Sequence, residues 1–218
     1  MNIFLDLDGT LIDSRMRLYA LYERLVAQIE PEAFQILLPF SEYWVNRRRP
    51  MPQAEMLRGF LGFSDESVER FKTAWMSHIE DEDLLMLDIP FRGVTECLRV
   101  ASGRFSLYVV TARQHHGRVK AQLGWLGWDK LFSEILVTGQ VESKAALIRR
   151  NVTISCEDIV VGDTAEDMVA ARELGLRAVA VDSGFVSANS LQKYGPWRVY
   201  SAVDEFLLDM VSDAGTCE

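Results

Sequence analysis

Two aspartates, Asp6 and Asp8, close the apolar run Ile3-Phe4-Leu5 in the opening stretch MNIFLDLDGTLIDS. Carboxylates two residues apart repel each other, so a cation must come from elsewhere in the chain. Further polar residues follow similar runs. Thr111 follows Leu107-Tyr108-Val109-Val110, and Asp163 follows Ile159-Val160-Val161-Gly162, with Asp167 four residues on. Lys144 lies beyond the run Glu134 to Val137. Clustered carboxylates with oxygen-only donors suit a hard cation, above all magnesium, which keeps several waters and shares its site with a phosphate. A carboxylate beside such an ion can act as nucleophile and form an acyl phosphate. A neighbouring acid can serve first as general acid and then as general base. A hydroxyl and an ammonium can hold the phosphoryl oxygens as charge shifts in transfer.

These residues need elements that bring them to one place. Five near-continuous apolar runs predict strands buried on both faces: Asn2 to Leu5, Ser106 to Val110, Glu134 to Val137, Asp158 to Val161 and Arg177 to Val181. A weaker run spans Arg198 to Tyr200. Helical patterns over Arg118 to Leu126, Lys144 to Arg150 and Ala165 to Leu174 separate the later strands, and Gly175 supplies a stop. Strand–helix alternation predicts an α/β fold, a Rossmann-like three-layer core with a mostly parallel sheet. The strand ends then point the same way, and the polar residues can converge.

Residues 15–89 form a separate block. Leu18, Leu21, Tyr22, Leu25, Val26 and Ile29 recur at helical spacing, as do Val68, Phe71 and Trp75. Pro31, Pro39, Pro50 and Pro52 punctuate it. The expected domains are therefore a core of 1–14 and 90–218 and a helical insert of 15–89. Ligands bind at the carboxyl ends of strands in open parallel sheets, so an insert rooted there is expected to act as a lid.

Composition narrows the classes. The 218 residues carry 23 basic and 32 acidic side chains, a net charge of −9, which disfavours nucleic acid as the main partner. No apolar run approaches the ~18 residues that span a bilayer, so no membrane association is expected. No signal peptide is visible, and the three cysteines, Cys97, Cys156 and Cys217, form no CxxC pair. The expected location is cytoplasmic, with Cys97 and Cys156 as buried small hydrophobes. The sequence is silent on oligomeric state.

DLDGTLIDS, VVTAR, Lys144 and GDTAED resemble, in order and spacing, the four motifs of the haloacid dehalogenase (HAD) superfamily, and the insert resembles its C1 cap. The resemblance spans the core, roughly residues 1–14 and 90–210. It implies Asp6 as nucleophile and metal ligand, and Asp8 as general acid/base with its backbone carbonyl on magnesium. It implies Thr111 as phosphoryl-binding hydroxyl and Lys144 as the lysine that steadies nucleophile and phosphate. Asp163 becomes a direct metal ligand, and Asp167 an acid of the metal site acting directly or through water. Gly9, Thr10 and Leu11 would begin a short mobile turn before the cap.

The dehalogenase branch lacks an acid where Asp8 stands, so the resemblance points to phosphate-ester chemistry. Within the capped group it is greatest to phosphoglycolate phosphatase-like enzymes and their β-phosphoglucomutase and phosphonatase relatives. Phosphonatases form an imine on a cap lysine, and Lys72 is the only lysine of residues 15–89. The expected activity is magnesium-dependent hydrolysis of a small phosphorylated metabolite. A phosphomutase and a non-catalytic binding or regulatory protein of the same fold are the alternatives.

Several residues carry two readings. Ala112-Arg113 replaces the Asn-Lys that many relatives carry, and Arg113 contacts substrate or caps nearby backbone. Arg47 and Arg48, in the run Arg47-Arg48-Arg49, reach an anionic substrate or form a solvated face. His115 and His116 read better as surface or helix-start residues than as ligands. Trp125 and Trp128 read as packing at a helix end, and Trp44 and Trp75 as cap core.

Overall fold

A computed structural model describes residues 1–49 and 51–215, so Pro50 and Cys217 lie outside the described residues. The first strand, β1 (Asn2–Leu5), has three fully buried apolar residues. A two-residue strand, β2 (Ile12–Asp13), leads into helices α1 (Arg15–Ile29), α2 (Phe40–Arg47), α3 (Gln53–Leu61), α4 (Asp65–His78) and α5 (Glu82–Leu85). Strand β3 (Ile89–Pro90) then pairs antiparallel with β2. There follow α6 (Val94–Ser102), β4 (Ser106–Thr111), α7 (His116–Trp125), β5 (Glu134–Val137), α8 (Lys144–Asn151) and β6 (Ile159–Gly162). The chain closes with α9 (Ala165–Leu174), β7 (Arg177–Val181), α10 (Ala188–Leu191), β8 (Arg198–Tyr200) and α11 (Val203–Gly215).

Two compact units result, Met1–Asp13 with Ile89–Glu218, and Ser14–Asp88. In the first, six strands pair in the order β5-β4-β1-β6-β7-β8, every pair parallel. Burial on both faces follows the two-residue period of a strand. Ile3, Leu5, Val109, Val161 and Val179 share one core with Val94 and Leu98 of α6, Val119 of α7 and Phe206 of α11. Phe4, Val110, Val160 and Ala180 face the other way, into a core with Leu147 of α8 and Met168 of α9. This is the three-layer α/β arrangement expected from the strand–helix alternation. β1 sits at the centre, with β4 on one side and β6 on the other, so the order reverses there. Crevices at such points hold ligands in open α/β sheets.

The second unit is helical. Leu18, Leu21, Tyr22, Leu25 and Val26 are buried along α1, and Val68, Phe71 and Trp75 along α4. Ser64 caps α4 by accepting the Ser67 N–H at 3.1 Å. Arg17, in the first turn of α1, bonds Asp88 at 3.0 Å with both side chains buried. That ion pair joins the two ends of the unit.

The structure adds detail at several points. Thr111 ends β4 rather than following it, and β6 runs one residue later than expected, through Gly162. Helices α6 and α11 were not anticipated. Trp128 is fully buried, its indole donating to Thr95 Oγ1 at 3.1 Å, whereas Trp125 is exposed. Cys97 is buried, but Cys156 is exposed. No helix among the described residues is long and apolar enough to cross a membrane.

Candidate active site

The backbone N–H of Asp6 donates to the Val161 carbonyl at 2.9 Å, which extends the β1–β6 pairing and fixes Asp6 at the carboxyl end of the central strand. Its carboxylate, buried to 6% exposure, meets two others. One oxygen each of Asp6, Asp163 and Asp167 lie within 4.8 Å of one another. Lys144, the first residue of α8, reaches into the same cluster. Its Nζ donates to Asp6 Oδ1 at 2.5 Å and to Asp167 Oδ1 at 2.6 Å. Ser143 holds the start of that helix by accepting the Ala146 N–H at 3.2 Å.

Each acid is held by its own element. Asp163 follows β6; its Oδ1 accepts from Thr10 Oγ1 at 3.2 Å and its Oδ2 from the Phe185 N–H at 2.6 Å. Asp167 opens α9 with a capping box, its Oδ2 accepting from the Thr164 N–H at 3.0 Å and from Thr164 Oγ1 at 2.7 Å. One oxygen thus caps the helix while the other binds the lysine. Two glycines make the close packing possible. A Cβ on Gly162 would stand 2.1 Å from Asp167 Cγ, and one on Gly184 would stand 1.9 Å from Asp163 Oδ2.

Charge explains the protonation behaviour. Burial pushes the Asp6 carboxyl well up, the Lys144 ammonium pulls it back, and Asp167 and Asp163 push it up further. Burial with Asp167 close by raises Asp163 to about 7, against the pull of the Phe185 N–H and Lys144. Burial alone would lower Lys144, but Asp167 and Asp6 outweigh it and hold the ammonium protonated. Three carboxylates facing one ammonium leave excess negative charge. An all-oxygen donor set with that charge fits a hard divalent cation such as magnesium.

Asp8 stands two residues beyond Asp6, its carboxylate about one-fifth exposed at 18%. Its partner is Arg113, which lies two residues past the end of β4. Nε donates to Asp8 Oδ2 at 2.7 Å and Nη2 to Asp8 Oδ1 at 2.7 Å, while Nη1 donates to Gln122 Oε1 at 2.8 Å. Thr111 is buried on β4, and Leu5 pairs with Val109, so Thr111 lies level with the point where β1 gives way to Asp6 and Asp8. The first unit therefore gathers Asp6, Lys144, Asp163 and Asp167 directly, while Asp8, two residues beyond Asp6, is bonded to Arg113.

Other residues lie elsewhere. Arg47 ends α2 and Arg48 is its C-cap, both in the helical unit, with the Arg47 guanidinium beside the Tyr43 hydroxyl. Lys72 pairs with Glu69 on an exposed face of α4. His115 caps α7 and His116 begins it, both exposed. Sequence reasoning missed Gln122, the Phe185 N–H and the Thr10 hydroxyl bond. Only the run Asp182-Ser183-Gly184-Phe185, directly after a buried strand, carried a signal for the second of these.

A protein-family model described as haloacid dehalogenase-like hydrolase matches residues 3–181. The chain belongs to the haloacid dehalogenase-like hydrolases. Among its relatives within curated proteins is a phosphoglycolate phosphatase of Colwellia psychrerythraea, 22% identical over 222 residues, covering 95% of this chain and 96% of that protein. Solved structures with the same fold include a haloacid dehalogenase-like family hydrolase of Streptococcus pneumoniae. It is 22% identical, covers 96% of this chain and 97% of its own, and has a TM-score of 0.73. A hydrolase from Pseudomonas syringae is 24% identical, covers 98% of both chains and has a TM-score of 0.64. The resemblance seen in the four motifs is thus membership of the haloacid dehalogenase-like hydrolases.

Proposed function

We propose that this haloacid dehalogenase-like hydrolase is a magnesium-dependent phosphatase that carries the phosphoryl group of a small metabolite on Asp6. The observation that supports this most is the buried cluster in which Asp6 meets Asp163, Asp167 and the Lys144 ammonium at the end of the central strand. Asp6, Asp163, Asp167 and the Asp8 backbone carbonyl would hold magnesium, which supplies positive charge against the phosphoryl oxygens.

In the first step an Asp6 carboxylate oxygen attacks phosphorus. The bond from phosphorus to the ester oxygen breaks, and Asp8 gives that oxygen a proton. Lys144 and the Thr111 hydroxyl hold the phosphoryl oxygens. In the second step Asp8 takes a proton from water, and the resulting hydroxide attacks phosphorus. Inorganic phosphate leaves and the Asp6 carboxylate is restored. Lys144 enters the cycle charged, because Asp167 and Asp6 raise its pKa against burial.

The helical unit is proposed to act as a cap that excludes bulk water in the first step and limits access to small substrates. Arg47 and Arg48 are its candidate contacts to an anionic substrate. The phosphoglycolate phosphatase relative makes a small phosphomonoester the first class to try. The test is phosphate release from p-nitrophenyl phosphate and a panel of small phosphate esters, with magnesium or with EDTA. Magnesium-dependent release is expected, and Asp6→Asn should lower it by more than about a thousandfold. Release that persists in EDTA and in the variant would refute the proposal. Interconversion of sugar phosphates without phosphate release would instead establish a mutase.

A further inference from the structure

Arg113 is a strongly engaged cation near the site that the proposed reaction does not use. It leaves β4 two residues after Thr111, and it is 4% exposed. Its planar fork meets the Asp8 carboxylate edge to edge, with both bonds at 2.7 Å. Such bidentate pairs fix direction as well as distance, which a lysine cannot do. The far side of the guanidinium is anchored in turn, because Nη1 donates at 2.8 Å to Gln122, which is 2% exposed on α7. Its backbone is pinned too. The Arg113 carbonyl accepts the Gly139 N–H at 3.0 Å, and the Thr111 carbonyl accepts the Thr138 N–H at 3.0 Å. Two elements beyond β1 therefore converge to set one carboxylate.

Stability is a poor account of this arrangement. Taking a guanidinium out of water costs about as much as its pairing returns, so a buried ion pair adds little to folding. Direct capture of phosphate is also a poor account, because three guanidinium nitrogens already point at Asp8 and Gln122. What the arrangement does supply is a fixed orientation for the Asp8 carboxylate, set by two bonds in one plane.

We infer that Arg113 is a positioning residue that aims the Asp8 carboxylate at the ester oxygen, and that Gln122 sets Arg113. The inference rests on the phosphatase reading, in which Asp8 protonates the leaving group. It predicts a dependence on the leaving group. A p-nitrophenolate departs without a proton, whereas an alkoxide needs one.

The experiment compares kcat and KM for p-nitrophenyl phosphate and for an alkyl phosphate in the wild-type protein, Arg113→Lys and Gln122→Met. Circular dichroism melts accompany each variant. Arg113→Lys keeps the charge and removes the fork. It should lower kcat/KM, which reports only the steps through phosphoryl transfer to Asp6, by about 100-fold on the alkyl ester and by less than about threefold on the nitrophenyl ester. Gln122→Met, which nearly preserves volume, should shift the same ratio in the same direction by about tenfold. Equal losses in kcat/KM on both esters would overturn the positioning role while leaving the phosphatase standing. Should Arg113→Lys fail to fold, an unchanged ester ratio in Gln122→Met would overturn it equally. Absence of magnesium-dependent turnover of either ester by the wild-type protein would overturn the phosphatase reading itself and this role with it.

Discussion

At the scale of single residues, the site is governed by an imbalance of charge. Asp163 shows it most clearly, since burial and Asp167 raise its carboxyl from 3.8 to about 7. Between those values the folded chain keeps a proton that the unfolded chain has lost. Folding is therefore favoured most below the ordinary aspartate range, and that contribution fades as pH rises toward neutrality. Asp6 shifts the same way. Magnesium would relieve the imbalance by supplying charge in place of protons. Its stabilising effect should accordingly be larger at about pH 8 than at about pH 5. Thermal melts in magnesium and in EDTA at both pH values check this, and Asp163→Asn should flatten the pH slope in EDTA. An equal magnesium effect at both pH values would contradict the charge account. Asp6, Asp8 and Asp163 were legible because short motifs announce them. Lys144 was harder, since its neighbours Glu142-Ser143 and Ala145-Ala146 are generic, and its bonds to Asp6 and Asp167 appear only once α8 is placed. The role of Phe185 was harder still, because a backbone N–H carries no side-chain signature and only the run Asp182-Ser183-Gly184-Phe185 after a buried strand marks its loop.

At the scale of elements, the loop after β7 contributes as much as any motif. Its Phe185 N–H bonds Asp163, its Ser183 Oγ donates to the Gly9 carbonyl at 2.8 Å, and Gly184 leaves room for the carboxylate between them. A Cβ at Gly184 would lie 1.9 Å from Asp163 Oδ2 and 2.2 Å from its Cγ, against a buried acid. Gly184→Ala should cost about 1–3 kcal/mol of stability by overpacking. It should also raise the magnesium concentration for half-maximal activity about 10-fold to 100-fold, since it displaces a group that orients a ligand. A denaturant titration and a magnesium titration measure the two effects, and wild-type values in both would show that the loop does not hold Asp163. The buried strands were readable from their apolar runs. Helix α6 had a readable pattern as well, Val94, Cys97, Leu98 and Ala101, yet it lies in a short stretch between loop-like segments. Its partner α11 carries Val203, Phe206 and Leu207 in the same core. Propensity alone marks neither helix, and tertiary burial decides both.

At the scale of the whole molecule, the chain order explains how a helical unit is inserted without disturbing the sheet. Departure and return are one residue each from a two-strand pairing, Ile12 with Pro90 and Asp13 with Ile89. The ion pair of Arg17 with Asp88 ties the ends of the helical unit. The division into a sheet core and an inserted helical block follows from the long interval between the first two core strands, which the sequence displays directly. The side-chain pairings across that interval, Arg17 with Asp88 among them, require three-dimensional contact and have no local pattern. The same holds for Arg113 with Asp8, separated by 105 positions. The central claim concerns where the phosphoryl group goes, and one measurement addresses it directly: peptide mapping of the protein after acid quenching during turnover of a phosphate ester. The account predicts a single phosphoryl group on the peptide containing Asp6, absent in Asp6→Asn and in EDTA. A phosphoryl group on any other residue, or steady turnover by Asp6→Asn, would contradict it.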